Sequence, residues 1–552
     1  MNYFLSVVAS VRGTLSVREA FVPRRVRGNV AVTALRAGAC VALPLFLLHA
    51  LGRVDLAPYA AMGCFTALYA RDDTYARRAW VLAVVGSALT LAVAVGGLAS
   101  ALFSHTLAAI VVGSLVAAAA KYLSDALAFG PPAGLMFVFA TGVSAYNPQT
   151  LAALPLETAT TAAAAALCWT VAMVGALTHP TAPERLAVAR ALHALARHLR
   201  EGTAATRAAA EAAVQHAWTT LLSRPRTARP RSAPALEALE ILTARAEALL
   251  GGTGDPVADA RAAAQMSELA RRARCDRTVR PLVGDREHTA LAAHAAHLRR
   301  HHTPAPGPGV RLRAVLRAPS PTPVSVARVG LASLLAGSLA WALGMEHGYW
   351  AAVSAGSVLQ ATNVTTTWHR TLQRALGTVV GVVLAAVLFS FDYSPLGIIV
   401  LVVLCQMAAE TVVMTNYSYA IVFVTPLTLA LSGLAHPGGA AEGLAAERLW
   451  ATVLGAAVGI VVCAVLANRR AGDHLEAALT EGERAHRALE GDGAGDPAAR
   501  RSLTRALVAL REAHALSAGE PRSGGARTDE VEDLHRRART LLDSPRGTPG
   551  HT

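Results

Sequence analysis

The residues from 375 to 414 read ALGTVVGVVLAAVLFSFDYSPLGIIVLVVLCQMAAETVVM, and their charged side chains are Asp392 and Glu410. Hydrocarbon does not solvate charge, and a helix that crosses a bilayer needs about 20 predominantly apolar residues. The segment therefore predicts two membrane-spanning helices, at about 375–391 and 395–414.

Apolar runs of this kind recur along the chain. Of its 552 residues, 53% are hydrophobic and 16% are charged, whereas about a quarter of an average soluble protein is charged. The charge is concentrated in a few blocks, as a bilayer requires. The other ten predicted spans lie at about 31–51, 55–70, 79–99, 104–121, 131–146, 155–178, 326–344, 348–362, 417–433 and 449–467.

A polar, basic segment separates the two groups of six runs. Residues 181–325 contain 22 arginines and 12 acidic residues, a difference of +10, in stretches with helical periodicity. We predict an all-α polytopic membrane protein with two parallel six-helix transmembrane repeats, a cytoplasmic helical domain and a helical C-terminal tail. The predicted divisions are a basic cytoplasmic arm at 1–30, a first half at 31–180, a basic helical domain with a proline-rich linker at 181–325, a second half at 326–468, and a cytoplasmic tail at 469–552 with a disordered end.

The two halves match each other at a constant offset of 292 residues across their first two spans. The matched landmarks are Arg36-Ala37-Gly38 with Arg328-Val329-Gly330, Leu51-Gly52 with Leu343-Gly344, and Arg78 with Arg370. An even number of spans brings both halves into the membrane from the same side, so the repeats are predicted to be parallel. In transporters built from such repeats, the substrate site lies between the halves.

The arginines predict the orientation in the membrane. Cytoplasmic loops carry an excess of Lys and Arg, and twelve spans put the arginine-rich segments on one side, with both termini cytoplasmic. Arg53 and Arg448 are minor exceptions, placed at the outer edge. Arginine-rich cytoplasmic loops explain the net charge of +14. The predicted partner is therefore the lipid bilayer, and no nucleic-acid partner is predicted.

The usual catalytic and cofactor motifs are missing. The patterns GxxxxGK[ST], GxSxG and HExxH do not occur, and the six cysteines are scattered. We therefore predict no enzyme activity and no cofactor. His294, His297 and His301 would share a helix face beside His302 and are a candidate metal site, but two adjacent arginines would repel a cation. The favoured interpretation is a solvated helix end without a metal.

Glu410 is an acidic residue in the apolar run Leu401–Met414. An intramembrane carboxylate is a functional candidate, and it could carry a coupling proton because desolvation favours its neutral form. The alternative is that Glu410 lies at the cytoplasmic end of its helix and reaches water, with Asn416 close behind.

Four polar or aromatic residues around the eighth predicted span are candidates for the substrate pathway. Tyr349 and Trp350 line a pathway in one interpretation and belong to an interfacial aromatic belt in the other. Gln360 and Asn363 are expected to face protein or a cavity, because amides that face lipid are costly.

Five arginines lie at the predicted cytoplasmic ends of spans: Arg36, Arg78, Arg328, Arg370 and Arg374. They anchor the topology and contact lipid headgroups in one interpretation. In the other, the repeat-related pairs form a cationic ring at the pathway mouth, which would attract and select anions. Guanidinium groups also bind carboxylates bidentately.

Three short motifs resemble a known family. HGYWAA at 347–352, VLQ at 358–360 and RTLQRALGTVVG at 370–381 look like the signature of the fusaric acid resistance family. The resemblance is sharpest over about 326–468, and the first half is a degenerate copy that keeps Arg36, Gly52 and Arg78. The resemblance implies efflux of organic anions, notably aromatic carboxylates, across a bacterial inner membrane. Arginines would then bind the carboxylate of the substrate, and aromatic side chains would contact its ring. Gly377 and Gly381 would allow close helix packing.

Two functions of different classes follow as hypotheses. The first is an organic-anion exporter driven by the proton gradient or by the anion's own electrochemical gradient, since the sequence lacks an ATP motif. The second is a membrane scaffold whose cytoplasmic helices dock a partner, for example in envelope biogenesis. Polar residues from both halves that converge on a cavity would favour the exporter. A dry, tightly packed interface between the halves would favour the scaffold. A homo-oligomer is compatible with both.

Overall fold

The computed structural model describes most of the chain as α-helix. The described residues are 17–23, 30–103, 106–145, 150–223, 233–252, 254–275, 284–300, 307–317, 320–361, 363–435, 441–491, 496–520 and 527–543. These ranges contain no β-strand, so the predicted all-α class is confirmed. Most of the predicted N-terminal arm, His301, His302 and the predicted disordered end lie outside the described residues.

The first half consists of long apolar helices interrupted by shorter ones. After α1 (Val17–Ala20), its helices are α2 (Val30–Ala50), α3 (Ala57–Cys64), α4 (Tyr75–Leu102), α5 (Thr106–Leu127), α6 (Leu135–Ala145), α7 (Leu154–Met173) and α8 (Gly175–Thr178). Short 3-10 turns at Val54–Leu56 and Phe65–Leu68 flank α3.

Polar helices follow: α9 (Ala182–Glu201), α10 (Ala204–Leu222), α11 (Ala233–Ala248), α12 (Pro256–Cys275), α13 (Asp285–Arg300) and α14 (Pro308–Leu316). Helices α9 to α13 bury a core of their own around Leu192, Trp218, Leu242 and Met266. Helix α14 lies in the predicted linker, and the Tyr122 hydroxyl of the first half donates a hydrogen bond to its Leu312 carbonyl (2.7 Å). This part of the linker is therefore helical and hydrogen-bonded to the first half.

The second half and the tail complete the chain. Their helices are α15 (Thr322–Ala342), α16 (Tyr349–Val358), α17 (Val364–Leu388), α18 (Pro395–Val412), α19 (Tyr417–Ala435), α20 (Ala441–Val465), α21 (Arg470–Glu490), α22 (Pro497–Ala518) and α23 (Thr528–Asp543). Leucines and alanines of α21, α22 and α23 form a third core.

The first two helices of the halves have corresponding bounds. Adding 292 to the bounds of α2 gives those of α15, and α16 begins 292 residues after α3. The glycines that end the long helices, Gly52 and Gly344, both have positive φ, at 69° and 74°. Glycine adopts this left-handed conformation readily and commonly ends helices.

Nine helices in the described residues are long and apolar enough to cross a membrane, against twelve predicted spans. The predicted spans 55–70, 131–146 and 348–362 instead contain α3, α6 and α16, with 8, 11 and 10 residues. At about 1.5 Å per residue, these three helices are about 12 to 17 Å long, whereas the hydrocarbon core of a bilayer is about 30 Å thick. Most of their residues are buried: all 8 in α3, 8 of 11 in α6 and 9 of 10 in α16. Apolar composition suits a protein interior as well as lipid, so hydropathy did not distinguish the two.

Candidate functional site

Three of the predicted pathway residues lie where the two halves meet. Trp350 packs against Phe139 of the first half, with ring centroids 5.2 Å apart. Tyr349 lies against Gly142, where a Cβ atom would be 3.0 Å from its ring. The Gly134 backbone N–H donates to Gln360 Oε1 (3.3 Å). Tyr349 and Trp350 are both buried, whereas a residue of an interfacial belt would face the lipid headgroups.

Arg448 lies directly on the face of Trp350. Its Cζ atom is 3.3 Å from the centroid of the ring, and 4% of the residue is exposed. Its Nε and Nη1 atoms are buried and have no hydrogen-bond partner among the described residues. The adjacent acid, Glu447, is occupied elsewhere, because its Oε2 is 2.7 Å from His347 Nδ1.

Arg374 is the second buried guanidinium at this place. It donates from Nη1 to the Tyr417 hydroxyl (3.1 Å) and from Nη2 to Ser354 Oγ (3.2 Å). Its Nε is buried without a partner among the described residues. Arg374 and Arg448 are close enough to repel each other electrostatically. In the part of the chain that the structure describes, neither forms an ion pair with a carboxylate, so an anion would be attracted between them.

Glycines bring the helices together around these arginines. Gly455 and Gly459 follow Arg448 on one face of α20, and a Cβ atom on Gly455 would overlap the Ala351 carbonyl oxygen of α16. Gly377 and Gly381 follow Arg374 on α17, and Cβ atoms there would lie 2.6 Å from Ser418 O and 2.7 Å from Thr425 Cβ of α19. Small residues permit such backbone approach, which is the packing expected for Gly377 and Gly381.

A second charged cluster connects the halves. Arg71 Nη2 of the first half lies 2.9 Å from a carboxylate oxygen of Glu410 on α18, and 6% of the Glu410 side chain is exposed. Arg36 is electrostatically coupled to Arg71, Arg78 and Glu410, and its buried Nε has no hydrogen-bond partner in the described residues. Glu410 lies near the end of α18, as the sequence suggested, but it is buried in an ion pair.

Arg328 and Asn363 bind the tail. The Arg328 guanidinium forms two hydrogen bonds with Glu520, at 2.8 and 2.9 Å, and both side chains are buried. The Asn363 side-chain amide donates to the Ala515 carbonyl (3.0 Å), at the end of α22. Asn363 also begins α17, because its side chain accepts the Thr366 N–H in a capping box.

The five arginines of the predicted ring therefore have different surroundings. Arg78 donates to the carbonyls of Ala70 and Arg71, at 3.0 and 2.8 Å. Arg370 lies over the ring of Tyr417, 5.7 Å from its centroid. Their contacts divide the five into three groups: Arg36 with Arg78, Arg370 with Arg374, and Arg328 with the tail.

Two histidines of the candidate metal cluster are described, and they face different carboxylates. His294 Nε2 is 3.4 Å from Glu247, and His297 Nε2 is 3.2 Å from Asp496. Burial would raise the pKa of Glu247, but hydrogen bonds from His294 and from the Trp218 indole hold that pKa below its usual value. No group of three metal-ligating side chains occurs in the described part of the chain.

Sequence reasoning missed Arg448, Arg71, Tyr417 and Glu520. The sequence predicted Arg448 at the outer edge without a role, and the structure buries it against protein as the eighth residue of the 25-residue helix α20. The signal that could have found it is an arginine preceded by an acid at the start of an apolar run. Glu520 had no such signal, because its partner lies 192 residues away.

Comparison with known proteins agrees with the resemblance. The Fusaric acid resistance protein-like family matches residues 335–462, which confirms the resemblance over most of the second half. A relative from Bacillus subtilis (strain 168), described as the uncharacterized membrane protein YvaC, is 26% identical over 516 residues, which are 88% of this chain and 81% of the relative. No solved structure matches the chain. The chain is a helical membrane protein similar to these proteins.

Proposed function

We propose that this protein is a transporter that exports small organic anions, aromatic carboxylates among them, across a bacterial inner membrane. The observation that carries the proposal is the buried pair Arg374 and Arg448, which no carboxylate of the described residues neutralises. Leaving a buried charge unpaired costs about 3–5 kcal/mol. A membrane protein that keeps two such charges, one of them on the face of Trp350, gains a site that favours an anion with an apolar body.

The position of this pair supports a transport path between the halves. Arg374 is the eleventh residue of the 25-residue α17, about 15 Å from its start at 1.5 Å per residue. Trp350 contacts Phe139 of the other half. The corresponding bounds of α2 and α15 support two parallel repeats, which place a site near mid-membrane between them. The proposed orientation keeps both termini and the helices α9 to α13 in the cytoplasm.

Export from preloaded cells tests the proposal. Cells with and without the protein are loaded with labelled aromatic carboxylates, and efflux is followed before and after collapse of the proton gradient. Protein-dependent efflux that stops on collapse supports a proton-coupled exporter, and efflux that survives supports a passive anion pathway. Absence of protein-dependent efflux across a broad panel of organic anions would contradict the proposal.

Glu410 is the proposed proton carrier. Its ion pair with Arg71 joins the halves, so protonation would release Arg71 and loosen that connection. The E410Q variant should lose gradient-driven efflux and keep exchange of internal for external anion, because exchange needs no net proton movement. The control is D392N, at an exposed position between α17 and α18. Gradient-driven efflux that persists in E410Q would exclude this role.

The scaffold is the second candidate, and tight packing between the halves favours it. Phe139 contacts Trp350 and Gly142 contacts Tyr349 without intervening space, and the tail is fixed to the second half through Glu520. A scaffold would show no protein-dependent efflux, and changes in the polar helices would abolish binding of its partner. The same export experiment therefore separates the two functions.

A further inference from the structure

We infer that residues 17–23 form an N-terminal strap, which closes one end of the interface between the two halves and has to be released during transport. The strap consists of α1 and the three residues that follow it. Because the strap would control the proposed transport path, this inference rests on the proposed function. The contact is internal to the chain and requires no ligand.

The backbone of Ala20 holds the strap in place. Its carbonyl oxygen accepts hydrogen bonds from Gln373 Nε2 of α17 (2.5 Å) and from Asn416 Nδ2 in the turn between α18 and α19 (3.1 Å). Helix α1 packs against α17, and 2% of Ala20 is exposed. Two side-chain amides from different elements converge on one buried carbonyl group, so the segment is docked at a defined place.

The strap lies beside a buried arginine of the candidate site. Gln373 directly precedes Arg374 on α17, and Asn416 directly precedes Tyr417 on α19. Arg374 donates a hydrogen bond to the Tyr417 hydroxyl (3.1 Å). One carbonyl group of the strap therefore bridges the two elements that form this hydrogen bond. While the bridge is formed, α17 and α19 cannot separate at this end.

The strap also connects the two halves. It precedes α2 of the first half along the chain and binds elements of the second half. The ion pair between Arg71 and Glu410 joins the halves at the same end, because Glu410 lies near the end of α18 and Asn416 in the turn that follows. Two separate contacts therefore close this end, and an opening of the interface there has to break both.

The strap is the weaker of the two attachments at the ends of the chain. Its described polar contacts to the second half are neutral hydrogen bonds, and Val17, Arg18 and Val22 are exposed. The tail is instead fixed by the buried ion pair of Arg328 with Glu520. Neutral hydrogen bonds contribute less than charge-assisted ones, and segments with few buried contacts open most readily. The strap is therefore suited to repeated release, and the tail to permanent attachment.

The accessibility of position 20 tests the docking without any transport. In full-length A20C/C275S in detergent, a water-soluble maleimide should react slowly, because Ala20 is buried and C275S removes an exposed cysteine. Q373M keeps the length of the side chain and removes one donor, so it should speed the reaction about fivefold. The matched control Q215M, on α10, should leave the rate unchanged. An unchanged rate in Q373M, or reaction at position 20 as fast as in V17C, would overturn the docked strap.

Reversible cross-linking tests the release. In A20C/Q373C/C275S, a reducible reagent with two thiol-reactive groups fixes the strap on α17. Protein-dependent efflux should fall about tenfold or more, because a segment that cannot open stops the cycle, and it should return on reduction. A20C/C275S, treated in the same way, should keep its efflux.

The outcomes separate the strap from the proposed function. Efflux that persists in fully cross-linked protein would overturn the release step and leave transport intact. Absence of protein-dependent efflux from the wild type would instead contradict the proposed function, and the maleimide rates would still decide whether the strap is docked.

Discussion

The two halves of this protein share a framework and differ in charge. Helices α2 and α15 have corresponding bounds and end at glycines with positive φ. Each half then buries a short helix, α3 or α16, under a longer one. Around these helices the second half holds Arg374 and Arg448, and at the offset of 292 residues the first half holds Leu82 and Leu156. The two halves therefore pack their helices in a similar way but differ in the charged residues at these positions.

This difference indicates how the two halves divide their roles. The first half contributes apolar contacts, such as Phe139 and Gly142, to the face where the candidate anion site lies. The second half contributes the cations and binds the tail through Arg328 and Asn363. Charge inside a membrane is costly, and in the first half the buried Lys121 is paired with Asp125, whereas Arg374 and Arg448 have no such carboxylate partner among the described residues.

The largest expected effect contrasts the repeat-related arginines Arg328 and Arg36. R328A leaves the buried Glu520 carboxylate without its bidentate partner and should lower the free energy of unfolding by about 3–5 kcal/mol. R36A removes a guanidinium that two other arginines repel, and should cost less than about 1 kcal/mol. Unfolding titrations in mixed micelles measure both.

The double variant R328A/E520A is the control for that contrast. It should recover part of the loss, because it removes the stranded carboxylate together with its partner. An R36A variant that is as unstable as R328A would break the distinction between the halves.

A smaller effect tests what the halves share. Gly63 contacts the Thr161 carbonyl oxygen of α7, and Gly455 contacts the Ala351 carbonyl oxygen of α16. G63A and G455A each force two backbones apart, so each should cost about 1–3 kcal/mol. The same titrations provide the measurement, with G113A, which has open space around its Cβ position, as the control. Unequal costs, with one variant near zero, would mean that the short helices are not packed alike.

The smallest effect concerns the tail that docks on the second half. His535 of α23 is buried, and both ring nitrogens lack hydrogen-bond partners in the described residues. Burial, followed by repulsion from Arg511 and Arg539, lowers the pKa of His535 to about 4, although Glu211 opposes the shift. The unfolded chain, with a pKa near its ordinary value of about 6.5, therefore binds the proton more readily than the folded tail does.

The sign follows from this difference in proton binding. The stabilisation is fully present above pH about 6.5 and is lost as the pH falls toward about 4. The H535N variant should flatten the dependence of tail unfolding on pH in this window, and H216N, at an exposed position of α10, should not. Unchanged pH dependence in H535N would exclude His535 as its source.

Much of the fold and part of the site could be predicted from residue order. The long apolar helices, the polar helices between them and the resemblance over 335–462 all depend on local composition or motifs. Tyr349, Trp350, Gln360 and Arg374 were expected at the pathway and lie where the halves meet or beside it. Arg328 and Asn363 were also predicted to line the pathway, whereas in the structure they bind the tail.

The sequence by itself determined a helical membrane protein, because the cost of placing a residue in lipid is a property of that residue and its near neighbours. Tertiary structure alone decided that three apolar segments are short helices, and that Arg448 faces Trp350. It also decided which arginines are neutralised. Arg328 meets Glu520 across 192 residues, and such pairing depends on distances in the folded chain that no local pattern records.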